Sequence, residues 1–477
     1  MSTIAQDLLL VLPEIFLASM ACIILVVDLF LRDKQRVITY WLTLGTLAGA
    51  AFLTMRLFSA PELLAFSGTV IADDLGNVLK MAAYLTTAVV FVYSHDYLRQ
   101  RNLFKGEYFV LGLFGLLGIM IMISAHSFLT IYLGLELMSL CIYALVAFNR
   151  DSLVASEAAI KYFVLGALAS GLLLYGLSFL YGITGSLDIG EVGQAIAAGG
   201  DIGVGLILAL SLVVAALCFK FGAVPFHMWI PDVYHGAPNA VTLYIASVPK
   251  LASFALFIRL LAEGLPAMQE TWAVMLMVMS VLSMAVGAYV AIMQTNMKRL
   301  LAYSTIGHVG YILLGILAGT PEGYTAALYY TLAYVLMAAA GFGVVLLLSR
   351  EGFEADRLDD YKGLNQRHPW FAAIMLFVMF SMAGVPPFIG FWAKLEVLWA
   401  VLGAGYIWLA VVAMAFAIIS AFYYLRIVKL MYFDNTEVET PITANRGMQF
   451  VLSANGLALL FLGIFPAGLM ALCASVF

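Results

Sequence analysis

Apolar runs of about twenty residues recur along the whole of this chain, separated by short polar breaks. About twenty residues of helix cross the hydrocarbon core of a bilayer, so this repetition constrains the fold more than any other feature. Of the 477 residues 64% are hydrophobic and only 11% charged, whereas a soluble protein carries about 25% charge. Too little polar surface is available to cover a water-soluble fold of this length, and the chain reads as an all-α polytopic membrane protein. Taking each run as one span gives about fourteen helices, near residues 7–30, 38–58, 76–95, 107–123, 128–148, 155–182, 203–222, 239–262, 272–294, 298–317, 322–349, 369–402, 405–432 and 446–472. The first run, within MSTIAQDLLLVLPEIFLASM, lacks a preceding basic region and is expected to be a retained helix rather than a cleaved signal.

Charge tests the count. An even number of spans puts both termini on one side, and the loops after odd-numbered spans should share the other. Those loops read LRDKQR, SHDYLRQRNLFKGE, FNRD, QTNMKRLL and SREGFEADRLDDYKGLNQRH, and they hold most of the Lys and Arg. The opposite loops, APELLAFSGTVIADD, TGSLDIGEVGQAIAAGGD and EGLPAMQE, are acidic or neutral. Basic loops stay in the cytoplasm. Both termini are therefore expected outside, which in a bacterial cytoplasmic (inner) membrane is the periplasmic side.

The same inventory excludes several functions. The longest polar insert, Ser349 to Arg367, is too short to fold alone, and no GxGxxG or Walker pattern follows a strand. A nucleotide or flavin site of the usual kind has no place to form. Cys22, Cys141, Cys218 and Cys473 lie singly in apolar segments, without the spacing of a zinc or iron–sulfur site. No cofactor and no metal is expected in this chain. The net charge of −5, without a basic cluster, gives no sign of a nucleic-acid partner.

An ionisable group at mid-membrane costs at least about 2.5–3.5 kcal/mol and marks function by default. Asp28, Lys80, Arg259, Lys298, Arg299, Arg426 and Lys429 fall near span ends, where a long side chain reaches the interface, and are read as anchors. Four residues resist that reading: Glu136 in FLTIYLGLELMSLCIYALVAF, Lys220 in ALCFKFGAVPF, Lys250 in VTLYIASVPKLASFALFIRL and Lys394 in PPFIGFWAKLEVLW. Lys161 is intermediate, because Glu157 four residues earlier offers it a helix-stabilising pair. Burial favours a neutral amine while a nearby carboxylate favours the ammonium, so a Glu–Lys pair that moves can take up and release a proton.

Two of these lysines adjoin helix breaks. Pro225 interrupts the seventh span, which continues to about His235; Pro386 and Pro387 interrupt the twelfth. Proline removes a backbone hydrogen bond, and the freed groups are tolerated only against protein or a water-filled cavity. GAVPFHMW and GVPPFIGFW echo one another five spans apart. An odd offset inverts topology, so the chain is expected to contain two inverted five-helix repeats. The corresponding division is N-terminal helices over 1–106, one repeat over 107–262, a second over 263–432, and a C-terminal helix over 433–477. His308 and His227 lie near membrane depth and are candidate relays, with a satisfied core histidine as the alternative. His95, His126 and His368 look interfacial, near helix ends.

These segments carry a resemblance. FKFGAVPFHMWIPDVYHGAP, the Lys250 helix, KRLLAYSTIGHVGY and GFWAKLE resemble the antiporter-like membrane subunits of respiratory complex I (NADH:quinone oxidoreductase), over essentially the whole chain. The resemblance implies a fourteen-helix fold with two inverted repeats, a Glu136–Lys220 pair, Lys250 joining two half-channels, and Lys394 serving the second. Lysine rather than glutamate in the twelfth span also distinguishes among the subunit types. By resemblance, flavin, iron–sulfur clusters and quinone belong to other subunits, the partners are other membrane-arm subunits including related antiporter-like ones, and membrane lipids surround the rest. Two other readings stay open: a subunit of a multi-subunit sodium/proton antiporter, and a purely structural membrane-arm subunit.

Overall fold

The structure is a computed structural model and describes residues 3–58, 62–199, 203–349, 352–435 and 445–477. Its helices run in the order α1 (Thr3–Leu10), α2 (Leu12–Leu29), α3 (Val37–Met55), α4 (Asp74–Gln100), α5 (Gly106–Ile123), α6 (Phe128–Val146), α7 (Leu153–Thr184), α8 (Ile189–Ala198), α9 (Val204–Phe221) and α10 (Trp229–Gly236). There follow α11 (Asn239–Phe257), α12 (Gln269–Met293), α13 (Met297–Leu317), α14 (Pro321–Leu348), α15 (Leu364–Arg367), α16 (Pro369–Ala383), α17 (Ile389–Gly403), α18 (Ile407–Tyr432), α19 (Arg446–Ile464) and α20 (Ala467–Ala474). Among the described residues, 13 helices are long and apolar enough to cross a membrane. The fourteenth expected span is the interrupted pair α16 and α17, each half too short to cross alone. The seventh span is α9 with its continuation α10, ending at Gly236 against the expected His235.

The chain divides into two compact units. The first comprises Met1–Phe91, Phe104–Phe221 and Val248–Met275; the second comprises Val92–Leu103, Gly222–Ser247 and Leu276–Phe477. In the first unit α5 and α6 cross closely, because a Cβ on Gly118 would lie 2.5 Å from the Met138 nitrogen and 2.6 Å from the Gly134 oxygen. Small residues let membrane helices approach without a hydrophobic driving force between them, and this crossing fixes the helix that carries Glu136. Within the second unit α12 and α13 cross in the same way, a Cβ on Gly287 meeting the Gly307 nitrogen at 2.5 Å. These crossings join the fourth and fifth spans in one case and the ninth and tenth in the other, again five apart.

Loops that the charge alternation assigns to one side do meet. In the first unit the short hairpin Leu63–Ala65/Val70–Ala72, after the second span, bridges at Val70 to Ala125, and Ser127 bridges to Asp188. The loops after spans two, four and six are thus joined. In the second unit Asn296 bridges to Arg357, and Glu354 accepts hydrogen bonds from Tyr97 (3.0 Å), Arg101 (2.8 Å) and Asn239 (2.6 Å). These contacts join the loops after spans three, seven, nine and eleven.

Candidate functional site

Both helix breaks follow the same local rule. α9 stops at Phe221 because Gly222 takes φ +88°, and α16 stops at Ala383 because Gly384 takes φ +86°. A left-handed residue is the common way to end a helix, and glycine adopts it without a Cβ penalty. Pro225 follows the first stop and Pro386–Pro387 the second; the Val224–Pro225 and Pro386–Pro387 bonds are cis. Each break leaves main-chain carbonyls with no partner inside the helix, and the negative end of the helix dipole at the same place.

Buried lysines occupy those ends. In the first unit Lys250, 1% exposed on α11, donates from Nζ to the Phe221 carbonyl at 2.7 Å, and its ammonium stands 5.9 Å from the centre of the Phe221 ring. Pro249 immediately precedes it inside α11. Lys220, one residue before that carbonyl, is also buried, and its Nζ donates to Ser139 Oγ (3.0 Å) on α6 and Ser170 Oγ (3.2 Å) on α7. Glu136 lies one turn before Ser139 on α6, half-buried. Its charge acts on Lys220, but its Oε1 has no hydrogen-bond partner among the described residues. The expected Glu136–Lys220 pair makes no direct ion pair among the described residues; the Lys220 Nζ is held by two serine hydroxyls instead.

In the second unit Lys394, on α17, folds back onto the end of α16. Its Nζ donates to the Met382 carbonyl (3.1 Å) and the Ala383 carbonyl (2.8 Å), and stands 5.3 Å from the centre of the Tyr311 ring. Tyr311 stacks on Tyr330 with 6° between the rings. His308 is buried between two hydroxyls, Nδ1 to Tyr330 at 2.8 Å and Nε2 to Tyr424 at 3.1 Å, and Tyr424 also shares a hydrogen bond with Ser304. A hydrogen-bonded chain Tyr330–His308–Tyr424–Ser304 therefore runs beside the ring that Lys394 faces. Proton movement needs such alternating donors and acceptors, and a histidine can serve as either.

The remaining candidates fall elsewhere. Lys161 forms an i,i+4 pair with Glu157 at 2.9 Å, and both are exposed, 46% and 66%, on the outer face of α7. His227 is half-buried in the loop of the first break. Three residues read as interfacial anchors are not anchors. Arg259 is 1% exposed and bonds Asp73 (2.7 and 2.8 Å) and Glu263 (2.7 Å); Lys80 is 4% exposed and pairs with Glu14 at 2.5 Å; Lys298 is buried and lies 3.7 Å from Asp356. Nearness to a span end in sequence does not show whether that end is covered by protein, and here it is. Ser139, Ser170, Tyr330 and Tyr424 were not legible as site residues, since a lone hydroxyl in a span commonly bonds its own helix backbone.

Known proteins share this architecture. Residues 125–420 match the family model described as NADH:quinone oxidoreductase/Mrp antiporter, transmembrane. NADH-quinone oxidoreductase subunit N of Thioalkalivibrio sulfidiphilus is 61% identical over 98% of this chain and 97% of its own length. Subunit N of Thiobacillus denitrificans is 58% identical over 97% and 96%. A chain of respiratory complex I from Thermus thermophilus superposes with a TM-score of 0.83 at 31% identity, covering 97% of this chain and 99% of that one. A chain of the Mrp complex from Dietzia shares the fold, with a TM-score of 0.82 at 22% identity and coverage of 100% and 97%.

Proposed function

The chain belongs to the NADH:quinone oxidoreductase/Mrp antiporter membrane family, with subunit N of NADH-quinone oxidoreductase as its near relatives, and from that premise we propose that it translocates protons through buried Glu/Lys relays, driven by quinone reduction in other subunits. The observation that carries the proposal is the placing of amines at the breaks: Lys250 and Lys394 each grip carbonyls that a helix break has freed. An ammonium is the best donor for such carbonyls, and a neutral amine a weaker one. Loss of a proton therefore loosens the grip on the helix end, and uptake restores it. In the first unit this ties Lys250 to the residue next to Lys220, so the two lysines exchange influence through one peptide.

The proposed order is uptake at Lys220 under the field of Glu136, passage to Lys250, and release by way of Lys394 with His308 and its tyrosines as the accompanying hydrogen-bonded chain. Moving one charge against 100 mV costs about 2.3 kcal/mol, so an event elsewhere in the complex must supply the drive. The proposed redox groups, flavin, iron–sulfur clusters and quinone, belong to those other subunits. A sodium/proton antiporter shares the fold, but ammonium groups at the breaks repel a metal cation, whereas a sodium site is built from carboxylates and free carbonyls.

The test is Lys220→Ala in the assembled complex, reconstituted in vesicles. Protons pumped per NADH should fall by at least half while assembly is retained. Normal pumping with normal assembly would falsify the relay role of Lys220.

A further inference from the structure

α4 presents a polar seam to the helices before it. Asp73, immediately before α4, and Asn77, Lys80, Tyr84 and Thr87 within it follow in steps of four, three, four and three residues, so one polar group stands on the same face at every turn. In a membrane helix such a seam is ordinarily apolar, since each polar group there is costly. Asn77, Lys80, Tyr84 and Thr87 are 4%, 4%, 2% and 0% exposed. Asn77 Nδ2 donates to the Leu57 carbonyl (3.2 Å), Tyr84 OH shares a hydrogen bond with Thr54 Oγ1 (3.2 Å), and Lys80 pairs with Glu14 of α2 at 2.5 Å. The seam begins at Asp73, which is 15% exposed and bound by Arg259, with the more exposed Glu263 beside it. It reaches about 21 Å into the span at 1.5 Å per residue. It lies wholly outside residues 125–420, the part matched by the family model.

We propose that Glu14 and Lys80 form a proton-exchanging site of their own within the N-terminal helices, reached along this seam from the Asp73 end. A clamp between α2 and α4 would need only the ion pair, and apolar packing often does that as well. Two further features point to exchange. Both Glu14 oxygens are hidden from solvent and, the ion pair aside, have no hydrogen-bond partner among the described residues, and Thr87 Oγ1 at the inner end of the seam has none either. These buried acceptors lie on or against a helix face that carries a polar group at each turn. The charged and titratable groups facing Glu14 are Lys80 and Tyr84. One proton is exchanged: bound, it converts the Glu14 carboxylate to a carboxylic acid beside the Lys80 ammonium; released to water, it restores the ion pair.

Infrared difference spectroscopy on the whole complex tests this. The expected result is a carboxylic-acid band that titrates with pH, shifts in deuterated water and is missing from Glu14→Gln. Asn77→Leu, which plugs the seam without touching the pair, should slow deuterium exchange of that band at least tenfold. Superimposable wild-type and Glu14→Gln spectra would overturn the proposal and leave a clamp. If Glu14→Gln fails to assemble, Asn77→Leu decides, an unchanged exchange rate overturning it. Lys220→Ala should leave the band in place, so failure of this site and failure of the Lys220 relay are separately visible.

Discussion

Ser139 and Ser170 supply the hydrogen-bond acceptors of the Lys220 Nζ, so their removal tests whether this contact matters to the proposed relay. Removing a partner from a buried charged donor costs about 1–3 kcal/mol, though membrane hydrogen bonds average nearer 0.6 kcal/mol. Ser139→Ala and Ser170→Ala should each lower the pumping rate about threefold, and the double variant by more than tenfold, since the two share one ammonium and the second loss leaves it bare. Proton uptake by reconstituted vesicles measures this; a double variant that pumps at the wild-type rate would remove the serines from the site. Lys220, Lys250 and Lys394 were readable from sequence because a charge in an apolar run is visible at once. The serines were not, because nothing in a linear sequence distinguishes a hydroxyl bonded across helices from one bonded to its own turn. Lys80 and Arg259 failed for a related reason: three-dimensional cover, not distance from a span end, decides whether a side chain can reach water.

At the scale of the element, the two breaks are one motif used twice: a helix stopped by a left-handed glycine, a proline-containing loop, a second short helix, and a lysine on the loose carbonyls. The prolines announced the breaks, and the helices stop four residues before Pro225 and three before Pro386. The lysine caps were not announced. Lys250 comes from a different helix, so its meeting with Phe221 depends on how α9 and α11 pack. Gly384 tests the motif. At φ +86° any other residue is strained, and an added Cβ would lie 2.8 Å from Lys394 Cδ. Gly384→Ala should therefore cost about 1–2 kcal/mol from backbone conformation and displace Lys394 from its carbonyls as well. The expected outcome is a fall of about 1–2 °C at most in the unfolding temperature of the purified complex, together with slower pumping. Gly171→Ala is the matched control, because a Cβ there meets nothing within 4 Å. Equal behaviour of the two variants would show that the shape of the break does not matter to the lysine.

For the molecule as a whole, span count and loop charge together predict which loops share a side, and the contacts within each unit agree: odd-numbered loops meet odd, and even meet even. This was legible because alternation is a parity argument, in which one missed span would mix the two sets. The sense of insertion is a separate matter, and rests on the excess of Lys and Arg in the odd loops. Those loops should face the cytoplasm and both termini the periplasm. Arg357, in the loop after the eleventh span, and Glu191, in the loop after the sixth, are both exposed and lie in opposite parity sets. Arg357→Cys should react with a membrane-impermeant thiol reagent only in inside-out vesicles, and Glu191→Cys only in right-side-out ones. Background is low, since Cys141, Cys218 and Cys473 are buried and Cys22 sits in an apolar span. Labelling of both positions from one side would break the fourteen-span reading. A clean reversal of the two would keep the fold and invert the direction of the proton path proposed through Lys220 and Lys394.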